Sequence, residues 1–123
     1  MPKPTVLVVD DNLDFAEATA LLLESHGQPA IATATVRGAL DTLDDNPAIG
    51  LVVSDIRMPS VDGFDFLRVV RHRFSRMPVV LMTGMPITDD DVLPRDISIL
   101  QKPFPVEALL KAIEERLQPT AND

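Results

Sequence analysis

The sequence predicts an α/β domain in which a doubly wound, five-stranded parallel sheet is flanked by five helices. Short runs rich in Val and Ile alternate with longer stretches of helical period. Several of those runs are apolar on both faces, as strands are when helices cover both sides of a parallel sheet. The 123 residues make one domain, long enough to bury roughly two thirds of the surface the unfolded chain exposes. Strand–helix alternation repeated along one such domain implies right-handed crossovers.

The first strand runs from Thr5 to Val9. Phe15, Ala18 and Leu22, with the set Ala16, Ala20 and Leu23, then follow helical spacing, and His26-Gly27 ends that helix with a glycine at C′. The second strand covers Ala30 to Ala34; the second helix, Val36 to Leu43, stops before Asn46-Pro47 because a residue preceding proline disfavours helix. Gly50 to Ser54 is the third strand. Phe64 to His72 is the third helix, with Phe64, Leu67, Val70 and Arg71 on one side and basic residues toward its C-terminal end. Met77 to Met82 is the fourth strand. Pro86, Asp89-Asp90-Asp91 and Pro94 leave about two turns for a fourth helix, which is expected to be short or irregular. The fifth strand, Ile97 to Leu100, precedes a final helix whose Val106, Leu109, Leu110, Ile113 and Leu117 form one apolar stripe. The apolar faces of the first and last helices read as core. Residues 1–118 are expected to form the domain, with 119–123 a polar tail or the start of a linker.

Composition excludes several functions. Eleven basic against 19 acidic side chains give a net charge of −8, and there is no Trp or Tyr. Direct nucleic-acid binding needs the opposite balance and stacking aromatics. With no cysteine there is no thiol catalysis and no Cys-based metal site, and the chain fits a reducing compartment. Asp10 and Asp11 cut the first apolar run far short of a signal peptide or membrane span. A cytoplasmic protein that does not contact membrane is the expectation.

In a doubly wound sheet, chemistry is sought beyond the carboxyl ends of the strands. There the sequence places Asp10-Asp11 after the first strand, Asp55 after the third, Thr83-Gly84 after the fourth and Lys102-Pro103 after the fifth. Three carboxylates brought together repel, and either protonation or a hard cation relieves them. Mg²⁺ suits an all-oxygen set. A lysine supplies a movable charge for a phosphoryl group and a threonine hydroxyl a hydrogen bond to it. Singly, each residue reads as ordinary turn or surface chemistry; after four different strands of one sheet they describe a phosphoryl-transfer site.

These segments, Val8-Val-Asp-Asp-Asn12, Val53-Ser-Asp-Ile-Arg-Met-Pro59 with Val61-Asp-Gly63, Met82-Thr-Gly84 and Lys102-Pro-Phe104, resemble the receiver domains of bacterial two-component response regulators. The resemblance runs from Thr5 to Leu117 and implies the flavodoxin-like fold. It implies that Asp55 accepts a phosphoryl group from a phosphohistidine of a histidine kinase or histidine phosphotransfer protein, catalysing its own modification without being an enzyme in the usual sense. It implies Mg²⁺ held by Asp11 directly, by Asp10 mainly through water, by Asp55 and by the Arg57 carbonyl. It implies that Thr83 and Lys102 hold the phosphoryl oxygens, that the Lys102–Pro103 bond is cis, and that a downstream output domain or protein reads the switch.

Two departures stand out. Ile99 occupies the position where receivers commonly carry an aromatic residue that turns inward with the threonine, so coupling passes through the backbone or through Ile99 packing. The interval of 19 positions from Thr83 to Lys102 is short for the family. Shortened fourth helices occur among receivers fused to hybrid kinases, so a phosphorelay intermediate is one expectation. Arg57 and Met85, two residues beyond Asp55 and Thr83, are expected to shield the acyl phosphate from water.

Rival readings are weaker. An aspartyl-phosphate phosphatase of the dehalogenase type would need an Asp where Asn12 stands. A flavin-binding module would need a phosphate loop after the first strand and an aromatic flank. A receiver that binds partners without phosphorylation is the remaining alternative.

Overall fold

The computed structural model describes residues 3–58, 63–84 and 97–117. Within them lie five strands, β1 (Thr5–Val9), β2 (Ala30–Thr33), β3 (Ile49–Asp55), β4 (Val79–Thr83) and β5 (Ser98–Gln101). Four helices accompany them, α1 (Leu13–Ser25), α2 (Val36–Asp45), α3 (Gly63–Arg73) and α4 (Val106–Leu117). The expected fourth helix falls outside the described residues, so α4 is the helix anticipated as the fifth.

All strands pair in parallel in the order β2-β1-β3-β4-β5. The chain steps from β1 to β2 on one side, then returns past β1 to β3 on the other, which opens a crevice at their carboxyl ends. Alternation along β1 divides the core. Val6 and Val8 face α1 and α4, together with Leu51, Val53, Val80 and Met82. Leu7 and Val9 face α2 and α3, together with Val52, Val79 and Leu81. A sheet buried on both faces explains the continuous apolar runs.

Local chemistry sets the ends of the helices. The Asn12 side chain accepts the Phe15 N–H at 3.1 Å and caps α1, and the Thr35 hydroxyl accepts the Gly38 N–H at 2.9 Å and caps α2. Gly27 ends α1 at φ 83°, a conformation open to glycine, with its N–H on the Glu24 carbonyl. On α2 the helix runs two residues past Leu43, because the Asn46 side chain donates to the Thr42 carbonyl and satisfies the last turn.

One expectation is corrected. The face of α1 that reaches the core is Ala16, Thr19, Ala20 and Leu23, whereas Ala18 is exposed and Leu22 is 50% exposed. A 13-residue helix with apolar residues almost all round has two candidate stripes, and the small-residue one packs closest to the sheet. Leu22 instead borders a shallow apolar groove of about 120 Å³ between α1 and α4, with Phe104 and Leu109.

Candidate phosphoryl-transfer site

Register brings the candidate residues to one edge. Val9 pairs with Ser54, so Asp10 and Asp55 follow side by side; Asp55 pairs with Met82, and Thr83 with Gln101, which puts Lys102 next. The ladder continues through the site: the Ile56 N–H bonds the Met82 carbonyl at 2.9 Å and the Lys102 N–H bonds the Thr83 carbonyl at 2.6 Å. Asp55 and Thr83 are the last residues of β3 and β4 rather than the first of the loops beyond. The Lys102–Pro103 bond is cis.

Asp10, Asp11 and Asp55 each offer a carboxylate oxygen, all within 4.8 Å of one another. Asp10 is 1% and Asp55 7% exposed, while Asp11 faces solvent. Lys102 Nζ lies 2.7 Å from Asp10 Oδ2 and 3.6 Å from Asp55 Oδ2. The remaining oxygens take backbone donors, Asn12 N–H to Asp10 Oδ1 at 2.9 Å and Arg57 N–H to Asp55 Oδ1 at 3.2 Å. Burial raises the Asp55 carboxyl above its ordinary value. The Arg57 N–H and Lys102 act against that shift, and Asp10 and Asp11 reinforce it.

Among the described residues, three carboxylates against one ammonium leave two negative charges, which one divalent cation balances. The donors are all hard oxygens at the open end of a crevice, so the residues fit Mg²⁺. Thr83 is buried beside them. Arg57 is exposed, and Ile99 is half-buried, paired with Leu81 and packed on the α2/α3 side of the sheet. Met85 lies outside the described residues.

The sequence points to the residues that the structure brings to this edge, but not to how they pair. Lys102 was assigned to phosphoryl oxygens and Asp10 to a cation; in the structure the two meet as an ion pair, a third way to relieve the clustered carboxylates. Two residues were missed. Asn12 binds both Asp10 and Phe15, through its backbone N–H and its side chain respectively. Phe15 places its ring 4.3 Å from Lys102 Nζ. A capping residue immediately after Asp11 was a visible signal for the first; nothing local marked the second.

A doubly wound sheet with an acidic crevice at its switch point, faced by a lysine and a threonine, defines a receiver. Comparison with known proteins agrees: residues 6–114 match the response regulator receiver domain family, and the chain belongs to it. It is 34% identical over 92% of its length to the C4-dicarboxylate transport transcriptional regulatory protein DctD of Pseudomonas aeruginosa, of which it spans 25%. It is 29% identical over 94% of its length to the transcriptional regulatory protein FixJ of Bradyrhizobium diazoefficiens, of which it spans 58%. The crystal structure of a response regulator receiver protein from Pseudomonas putida superposes with a TM-score of 0.80 at 28% identity, covering 94% of this chain and 98% of that one. Membership places the chain in two-component signal transduction. Receivers of this family are phosphoacceptors that work with histidine kinases and output domains. Among the described residues no helix is long and apolar enough to cross a membrane.

Proposed function

We propose that this chain is a phosphorylation-dependent switch in which Asp55 accepts a phosphoryl group from a phosphohistidine of a histidine kinase or histidine phosphotransfer protein. The observation that carries the reading is the placement of Asp55, nearly buried at the end of β3, with Lys102 Nζ 3.6 Å from its carboxylate and the oxygens of Asp10 and Asp11 alongside. A carboxylate oxygen of Asp55 attacks phosphorus; the P–O bond forms, the P–N bond to the donor imidazole breaks, and the imidazole leaves carrying a proton. Asp10, Asp11, Asp55 and the Arg57 carbonyl would hold Mg²⁺, which when bound neutralises charge on the phosphoryl oxygens. Lys102 swings from Asp10 toward the new oxygens, and the Thr83 hydroxyl hydrogen-bonds to one of them. The chain thereby catalyses both its own modification and, with water as nucleophile, its reversal.

The added negative charge shifts a population between two arrangements of the face running from β4 to α4. Ile99 is the route on this chain: it pairs with Leu81, two residues before Thr83, so displacement of Thr83 is passed on through packing on the α2/α3 side of the sheet. Arg57, exposed beside Asp55, and Met85 shield the acyl phosphate, so the double variant Arg57→Ala, Met85→Ala loses it faster.

Intact-mass spectrometry after incubation with acetyl phosphate and Mg²⁺ tests the reading. One phosphate adduct is expected, absent without Mg²⁺ and absent in Asp55→Asn. No adduct with either acetyl phosphate or a phosphohistidine donor would leave a receiver that binds partners without phosphorylation.

A further inference from the structure

The Lys102 ammonium lies near three groups among the described residues: Asp10 Oδ2 at 2.7 Å, Asp55 Oδ2 at 3.6 Å, and the Phe15 ring, whose centroid lies 4.3 Å away. We propose that Phe15 is a positioning residue for phosphoryl transfer, its ring face holding the Lys102 ammonium within the site while the ammonium passes from Asp10 to the phosphoryl group on Asp55. This rests on the phosphoacceptor reading above.

The two kinds of contact differ in how they tolerate movement. A charge-assisted hydrogen bond to Asp10 is short and directional, and it draws the ammonium away from Asp55. Attraction to an aromatic face comes from a quadrupole spread over the ring, so an ammonium can slide across it with little loss. A lysine stem of four carbons carries much rotamer freedom, and 24% of this side chain is exposed. Without the ring, release from Asp10 opens a path into solvent as well as one to Asp55; with the ring, the path to Asp55 remains.

The ring is itself held. Phe15 is half-buried and packs on the α1/α4 side of the core, where it borders the groove with Leu22, Phe104 and Leu109. Its backbone N–H is fixed by the Asn12 side chain at 3.1 Å. The cap that starts α1 therefore also sets the ring over the lysine. An aliphatic side chain at position 15 would fill the space but supply no negative face.

Site-specific replacement of Phe15 by mono-, di- and trifluorinated phenylalanine weakens the negative face with little change of shape. The rate of adduct formation from acetyl phosphate and Mg²⁺ is expected to fall stepwise along the series, about fivefold at the trifluorinated member, with melting temperatures unchanged. Phe15→Leu is expected to fall at least as far and Phe15→Tyr to retain the rate. Independently of activity, the Lys102 Cε protons of the cation-free chain should show an upfield ring-current displacement in the NMR spectrum that Phe15→Leu abolishes. A rate indifferent to fluorination, with the unsubstituted chain still forming the adduct, overturns the positioning role and leaves the phosphoacceptor reading standing, as does a Lys102 shift that Phe15→Leu leaves in place. No adduct on the unsubstituted chain overturns both.

Discussion

The proposed role of Asp55 and its place in the fold make opposing demands: a carboxylate nucleophile must be ionised, yet this one sits where water barely reaches. Burial is the largest influence and raises its carboxyl above 3.8, so the folded chain holds this proton to a higher pH than the unfolded chain does. Stability from this group is therefore present in acid and falls as pH rises from 3.8 through the raised folded value. In EDTA, Asp55→Asn is expected to melt a few degrees above the parent at about pH 7, with the gain vanishing below about pH 3.5. Equal melting temperatures at neutral pH would contradict it. Lys102→Met removes the one ammonium that, among the described residues, faces Asp10 and Asp55. Losing one partner of a fully buried pair costs about 3–5 kcal/mol; with 24% of the lysine exposed, urea unfolding of Lys102→Met in EDTA should show a loss of about 2 kcal/mol. These carboxylates and the lysine were legible from their places after the strands, because strand ends converge in any doubly wound sheet. Their pairing was not, since Asp10 and Lys102 are 92 positions apart and no spacing rule links them.

The first helix shows how much a period can and cannot say. Its existence and its C-terminal end were readable, from the apolar repeats and Gly27, whereas the Asn12 cap at its start emerges from the structure. Which stripe packs was not readable, because apolar residues occupy most of its circumference and small side chains won the sheet-facing place for reasons of distance, leaving Leu22 at the groove. Phe66, among the largest fully buried side chains, was passed over in α3 for the same reason: a stripe through Phe64, Leu67 and Val70 leaves its position ambiguous by one residue. The cap at Asn12 is the element's own point of weakness. Asn12→Ala is expected to cost about 1 kcal/mol in urea unfolding, with Asn12→Asp retaining most of it, since an Asp oxygen also accepts the Phe15 N–H. A loss in Asn12→Asp as large as in Asn12→Ala would show that the cap does not account for the effect.

Across the whole molecule the net charge is −8, and three of the 19 acidic side chains meet at the switch point of the sheet. Binding a cation there stabilises the folded chain by mass action. At a Mg²⁺ concentration ten times Kd the gain should be about 1.4 kcal/mol, read as a rise in melting temperature. Asp11→Asn, at an exposed position that the fold does not depend on, should remove most of that rise. A rise that persists in Asp11→Asn would place the cation elsewhere.

By itself the sequence determined the class of fold and that Asp10, Asp11, Asp55, Thr83 and Lys102 gather at the carboxyl edge of one sheet. It could do so because burial on both faces forces unbroken apolar strands and because polar residues then stand out at their ends. Only the tertiary structure decided that Lys102 rests on Asp10, that Phe15 lies over that lysine, and that α1 turns Ala16 and Ala20 rather than Leu22 toward the sheet. Those are contacts between side chains far apart in the chain, set by strand register and by how closely a helix can approach a sheet, and a one-dimensional period carries neither.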